Sequence, residues 1–332
     1  MNDTSNASDG TVTDSRRPAN VRRVLQLALA TVWLLDGVLQ LQPFMFAPGS
    51  SGFSGMLGGM AAGNPHVVAQ TITWNASLID HHAVATDAAF ALIQILIGFG
   101  IAWLPTLKAA LGASIVWSLG VWWFGEGLGG VLHGAGTPIG GGPGAVLFYA
   151  LLAVMLWPAD RSGPIPTFAA AHAIGQRAAK VVWGVVWVGM AFLALIGSGR
   201  SPQGTQGLIA SLDSRQPGWL AAIDRNAESL VAHHGLVVAV AFVVICLVVA
   251  LGVFLPAPAW RATLVLAIFA AAAIWVVGEN FGMILAGGAT DPNSGPLLIL
   301  LALAYWPMRP RPVIDPAISA RKVVTFLPVE VA

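Results

Sequence analysis

The sequence predicts an all-α integral membrane protein with eight transmembrane helices. They form two parallel four-helix repeats about a pseudo-two-fold axis along the membrane normal. Three observations predict it. Charged residues make up 9% of the 332 residues and hydrophobic residues 56%, whereas a soluble domain carries about 25% charged residues. Too few polar groups remain to cover a water-facing surface. Eight apolar segments lie near 24–46, 84–104, 108–125, 143–157, 181–198, 233–255, 262–278 and 294–307. The second half of the chain also repeats motifs of the first. The lone Cys246 excludes a disulfide framework and Cys-based metal sites, and a net charge of +1 argues against nucleic acid as a partner.

Residues 1–22 are polar and carry Arg16, Arg17 and Arg22, with Arg23 next. No apolar stretch follows close to the start, so they read as a disordered cytoplasmic tail and not as a signal peptide. A four-helix repeat over 23–160 follows. A cytoplasmic linker over 161–179, with Arg161, Pro164 and Pro166, leads to a second repeat over 180–308 and a tail over 309–332. Trp103-Leu104-Pro105, Trp157-Pro158 and Trp306-Pro307 mark helix ends, since Trp sits at headgroup level and Pro stops a helix. The fourth and eighth segments fall short of the ~20 residues of a comfortable span. They are kept because both termini inside require an even number. That orientation puts thirteen Lys and Arg residues inside against Arg200, Arg215 and Arg225 outside, a positive-inside pattern for a multi-pass cell-membrane protein with cytoplasmic termini. The outer loops 47–83 and 199–232 are long and partly apolar, with Met56, Leu57, Met60 and Leu208, Ile209, Leu212. They predict short amphipathic helices on the membrane face.

Residues 122–143 align without gaps to 275–296, and nine of 22 positions match: Trp122, Gly125, Glu126, Gly129, Leu132, Gly134, Thr137, Gly142 and Pro143. At an offset of 152, residues 55–82 align to 207–234, pairing His81-His82 with His233-His234. Each repeat therefore keeps a His-His pair where its second helix begins and a Gly-Glu pair where its third ends. Antiparallel neighbours bring these ends together on the outer face. A helix N-terminus favours neutral imidazole, the form that binds metal. The metal-ligand candidates are His81, His82, His133, Glu126, His233, His234 and Glu279. The alternative is that the paired histidines cap or anchor a helix at the interface, since no HExxH motif is present.

The first repeat holds polar groups that the second lacks. Asp36 and Gln40 share one face of the first helix, four residues apart. Asp80, Asp87 and Gln94 recur every seven residues on one stripe, while Ala239 and Cys246 take the places of Asp87 and Gln94 in the second repeat. An ionisable group at such depth is costly unless paired, hydrated or protonated. Asp36, Asp87, Glu126, His81 and His82 are accordingly the catalytic candidates, and the first repeat is the working half. The alternative for the acids is a polar network holding helices together. Asp87, Glu126 and one of His81 and His82 are expected to converge on a cavity near the outer surface, with Asp36 deeper in it. The GEGLGG stretch over 125–130 has the spacing of a phosphate loop but no preceding strand, so it reads as a packing and turn segment.

The opening helix VRRVLQLALATVWLLDGVLQLQP resembles that of the DoxX/MauE-like membrane proteins, which begin with an Arg, an apolar helix, a Gly and a short polar turn. The resemblance covers mainly 20–47 and the four-helix plan. It implies two fused family units and a redox association, with quinone as the cofactor. The family's basic residue after the Gly is replaced by Gln40 or Gln42, and no redox Cys pair is present, so no catalytic residue carries over. Two further functions fit the residues. One is a transporter or channel for a small solute or proton through Asp36 and Asp87. The other is a membrane scaffold whose outer loops dock a membrane or extracytoplasmic protein partner.

Overall fold

The computed structural model describes residues 21–159, 166–196, 205–207, 209–210 and 216–308. Residues 1–20 of the first predicted tail, the whole tail over 309–332, residue 160 and 161–165 of the linker lie outside the described residues. So do Leu208 and Leu212. Helix α1 runs Val21–Leu39, so Val21 and Arg22 belong to a helix and not to the tail. Three short helices follow: α2 (Pro43–Phe46), α3 (Phe53–Gly59) and α4 (His66–His81). Next come α5 (Ala83–Ala102), α6 (Leu107–Phe124) and α7 (Ala145–Met155). The second half contains α8 (Ala171–Ile174), α9 (Gln176–Leu195), α10 (Gly218–Gly252), α11 (Ala257–Ala273) and α12 (Ser294–Ala304). The predicted linker thus ends earlier than expected, because α9 begins at Gln176.

Among the described residues, five elements are long and apolar enough to cross a membrane: Ala83–Ala102, Leu104–Phe124, Gln176–Leu195, Gly218–Gly252 and Ala257–Gly278. They make the chain a polytopic membrane protein. Helix α1 carries Arg22, Arg23 and Asp36 among 19 residues. Helices α7 and α12 have 11 residues each, about 16 Å at 1.5 Å per residue, against a hydrocarbon core of about 30 Å.

The helices alternate in direction. The Arg23 guanidinium donates to the Ile101 carbonyl at 3.0 Å and also to that of Ala102, so the start of α1 lies at the end of α5, where a cation suits the helix dipole. Gln26 donates to the Leu156 carbonyl at 2.8 Å, and the Tyr305 hydroxyl donates to the Ala179 carbonyl. The starts of α1, α6, α9 and α11 therefore gather at one end with the ends of α5, α7, α10 and α12. In packing, α1 pairs with α5, α6 with α7, α9 with α10, and α11 with α12, while α7 meets α12 between the halves. One continuous core holds Trp33, Tyr149, Phe168, Trp183, Trp187 and Tyr305, all buried. A second cluster, with Met45, Leu57, Ile72 and Leu128, packs α2, α3 and α4 beneath the far end of the first half.

The buried positions of the two halves correspond. Leu107, Ala110, Leu111, Ser114 and Ser118 of α6 are buried, and so are Trp260, Thr263, Leu264, Ala267 and Ala271 of α11, each 153 residues later. Trp33 and Asp36 of α1 match Trp187 and Met190 of α9 at an offset of 154. Gln94 matches Cys246 at 152. Each half also has the same backbone anomaly after its third helix. Gly127, Leu128, Gly129 and Gly130 hold φ of 55–68°, and Asn280, Phe281, Gly282 and Met283 hold φ of 44–67°. A left-handed turn of this kind costs a non-glycine residue about 1–2 kcal/mol.

Two sequence expectations change, and one stands. Helix α10 bends at His234, so residues 218–233 form a short helix ahead of the apolar span, as α4 stands ahead of α5. The Asp80–Asp87–Gln94 stripe is broken, because His82 (φ −135°, ψ 34°) separates α4 from α5. His234 (φ −132°, ψ 26°) makes the matching kink in α10. Finally, Trp122 donates to the Pro143 carbonyl and Trp275 to that of Pro292, both at 2.8 Å. The gapless alignment puts Pro143 opposite Pro296. Helix starts at Ala145 and Ser294 are 149 apart while the tryptophans are 153 apart, so the second connection is four residues shorter.

Candidate functional site

The first half encloses a cavity of about 1090 Å³, at the upper end of the ~300–1,000 Å³ of ligand pockets. Helices α1, α5, α6 and α7 form its walls, α3 and α4 cover it, and residues 282–293 of the second half close one side. It lies toward the end of α1 and α6, opposite the end where Arg23 caps α5.

Its polar end is built by several elements. On α1, Trp33, Asp36 and Gln40 face inward at helical spacing. The Trp33 indole donates to Ser114 Oγ at 3.1 Å and its ring lies 4.6 Å from that of Tyr149. Tyr149 projects from α7 with its hydroxyl beside the Asp36 carboxyl. Gln94 enters from α5. The Gln40 amide donates to the Thr290 carbonyl at 3.4 Å and that of Gln42 to the Ala289 carbonyl at 3.0 Å. These contacts hold the loop before α12 against the end of α1, and Asp291 in that loop lines the cavity.

Six polar atoms of this lining are buried without a hydrogen-bond partner: Asp36 Oδ1, Gln40 Oε1, Asn64 Oδ1, Gln94 Oε1, Glu126 Oε2 and the Tyr149 hydroxyl. Buried polar groups are nearly always paired, so six in one cavity mark it as a place for a ligand or water.

Glu126 follows α6 and reaches the N-terminus of α7, where one oxygen accepts from the Val146 amide at 3.4 Å. Gly144, at φ 119°, permits this, since a Cβ there would stand 2.2 Å from Glu126 Oε2. Burial, then the nearby Asp291 carboxylate, pushes the Glu126 carboxyl up to about 8. Burial also raises Asp291, although it accepts from Thr290 Oγ1 at 2.8 Å and the Asn293 amide at 2.7 Å. Glu279, the counterpart of Glu126, accepts from the Ser294 amide at 3.2 Å, the Gly295 amide at 3.0 Å and the Ser294 hydroxyl. Burial pushes it up to about 7.

Of the residues expected to converge, Asp36 and Glu126 line the cavity, and Asp87 does not. Asp87 is fully buried on α5 with both carboxylate oxygens unpartnered. His81 and His82 are exposed. His81 Nδ1 donates to the Ser77 carbonyl at 2.6 Å and His233 Nδ1 to that of Ser229 at 2.7 Å. His234, also exposed, lies with its ring 6.5 Å from that of His233. Asp80 instead ties a loop to α4, accepting from the Gly49 amide and the Ser54 hydroxyl, each at 2.9 Å. His133 is exposed at the cavity rim, beside Gly63. Among the described residues no three His, Cys, Asp or Glu side chains are grouped to hold a metal ion.

Sequence reasoning missed Tyr149 and Asp291. Tyr149 is one of two tyrosines in the chain and the lone hydroxyl in an otherwise apolar helix, a signal of the same kind as Asp36. Asp291 stands in a polar Thr-Asp-Pro-Asn turn, and nothing local says that the turn crosses to the other half. No protein-family model, curated protein or solved structure matches the chain.

Proposed function

We propose that the first half takes an amphipathic small molecule from the bilayer and holds its polar end at Asp36, Glu126 and Tyr149. The carrying observation is the set of six partnerless polar atoms in a mostly apolar cavity. An unsatisfied buried group costs roughly 1–3 kcal/mol, so a head group that partners them offsets that cost. The remaining wall, with Phe90, Ile93, Val116 and Trp117, suits an apolar body. Trp74 and Val116 line the cavity and are also 62% and 74% exposed, which opens the wall to lipid.

In this reading α1, α7 and α12 join the five long elements to make eight membrane helices in two parallel four-helix units. The matching buried positions, kinks and left-handed turns support it. Arg22, Arg23, Lys108, Arg177, Lys180 and Arg261 sit on or beside helix ends that share one face, which supports a cytoplasmic placement of that face and an outward cavity. The DoxX/MauE-like opening helix implies a quinone as the ligand, whereas the cavity itself asks for an apolar body and a head that satisfies acids. A conduit has less support, since buried Trp33, Ser114 and Tyr149 close the polar end.

The test uses Gly120, which lines the cavity and where an added Cβ meets nothing within 4 Å. Gly120→Phe should obstruct the cavity without lowering the unfolding temperature. Decylubiquinone should quench the tryptophan fluorescence of the wild-type protein in nanodiscs saturably, and quench the variant only by bulk collision. Equal, non-saturating quenching of both removes the proposal.

A further inference from the structure

The chemistry of the lining narrows the ligand. Three carboxyl groups, of Asp36, Glu126 and Asp291, face the cavity, and among the described residues no Lys or Arg lines it, while His133 stands exposed at its rim. The acids are not the whole signal. Asp36, Gln40, Gln94 and Tyr149 are 2%, 3%, 7% and 1% exposed, and each presents an oxygen with no partner. Those of Asp36, Gln40 and Gln94 are acceptors, while the Tyr149 hydroxyl can donate to the Asp36 carboxyl beside it. Two donors that line the cavity are already in use: the Gln40 amide on the Thr290 carbonyl and the Trp33 indole on Ser114. Trp33, Tyr149 and Trp117 add aromatic faces along the same walls, and ring faces attract cations.

We propose that the molecule held in this cavity is an organic cation with a bulky apolar body, of the quaternary ammonium or phosphonium class. The inference rests on the cavity reading above and adds the sign of the head group. An anion meets three carboxyl groups, with His133 at the rim as the one basic side chain among the described lining residues. A neutral head leaves the acids without a counter-charge. A cation favours their ionised form and pairs with it in a place screened from water, where charge pairs are stronger than at a surface.

Tetraphenylphosphonium and tetraphenylborate are nearly equal in size and opposite in charge, so they separate charge from shape. Equilibrium dialysis of both against the full chain in phosphatidylcholine nanodiscs, corrected for uptake by empty nanodiscs, gives their affinities. Phosphonium is expected to saturate at one per chain and to bind at least about tenfold tighter than borate. Asp36→Asn and Glu126→Gln, which keep side-chain shape, should each weaken it by about tenfold, the scale of one lost partly screened charge pair. Borate or decylubiquinone binding as tightly as phosphonium overturns the inference, as does an unchanged phosphonium affinity in both variants. If decylubiquinone saturates and Gly120→Phe abolishes its binding while phosphonium does not saturate, the cavity stands and the cationic head falls. If Gly120→Phe changes the binding of no probe, both fall.

Discussion

Glu126 and Glu279 occupy matched places in the two halves, each following a long helix and each reaching the first amides of a short one. Glu279 is fully engaged, by two amides and a hydroxyl of Ser294 and Gly295. Glu126 gives one oxygen to Val146 and leaves the other bare. The contrast extends inward. Where the first half has Asp36, Gln40, Gln94 and Tyr149, the second has Met190, Ala194, Cys246 and Leu298, all buried. Apolar side chains there can pack at interior density without partners, so these four places in the second half pose no polar demand. The first half keeps its polar groups apart around an open volume. These matched places thus carry apolar side chains in one half and cavity-lining polar ones in the other.

The largest effects should come from what the halves share. A Cβ on Gly129 would stand 2.0 Å from the Pro143 carbonyl oxygen, and one on Gly282 would stand 2.6 Å from that of Asp291, both at left-handed φ. Gly129→Ala and Gly282→Ala should each abolish folded protein in size-exclusion profiles. If either variant folds normally, the left-handed turn is not a fixed part of the scaffold.

Next come the two glutamates. Glu279→Ala strands two donors, the Gly295 amide and the Ser294 hydroxyl, while the Ser294 amide keeps the Asn293 side chain. At about 1–3 kcal/mol for each that stays buried and unpaired, it should lower the unfolding temperature far more than Glu126→Ala. Equal losses would end the contrast between a sealed and an open acid. The pH response follows from the same burial. Glu126 titrates near 8 in the fold against an ordinary 4.5, so between those values the folded chain holds a proton that the unfolded chain has released. Its contribution to stability is complete below about 4.5 and is lost as pH rises toward 8. Glu126→Gln should flatten that part of the unfolding profile.

A smaller effect probes one hydrogen bond. Trp33 donates to Ser114, whereas its counterpart Trp187 has a buried indole N–H without a partner. Ala267 occupies the place of Ser114. Ala267→Ser should give Trp187 an acceptor and raise stability by about 0.5–1.5 kcal/mol, measured by reversible chemical unfolding. The smallest effect is expected at the exposed histidines. His81→Ala and His82→Ala should change unfolding and phosphonium binding little, within about 0.5 kcal/mol. A tenfold loss of binding in either would bring the His pair back to the site.

The legible parts of the molecule were those fixed by solvent and by local period. Composition shows a membrane protein, and helical spacing puts Asp36 and Gln40 on one face. The matched Gly-Glu pairs mark where the third helices end. The remainder depends on contacts between distant segments. Asp291 reaches the cavity because the Thr290 and Ala289 carbonyls accept from Gln40 and Gln42, partners about 250 residues away. The break at His82 turns Asp80 away from Asp87, although a seven-residue spacing by itself implies a common stripe. The four-residue difference before α12 is hidden by a chance Gly-Pro match, which only the two tryptophan hydrogen bonds expose.

Val116 and Trp74 are cavity wall and outer surface at once, and this changes what an affinity for the site means. A molecule that enters through that wall arrives from the acyl chains, so its chemical potential is set by molecules per lipid and not by molecules per litre. Adding empty vesicles at constant aqueous concentration should dilute such a ligand out of the protein, while stirring in more buffer should scarcely matter. Occupancy then follows the local make-up of the surrounding membrane.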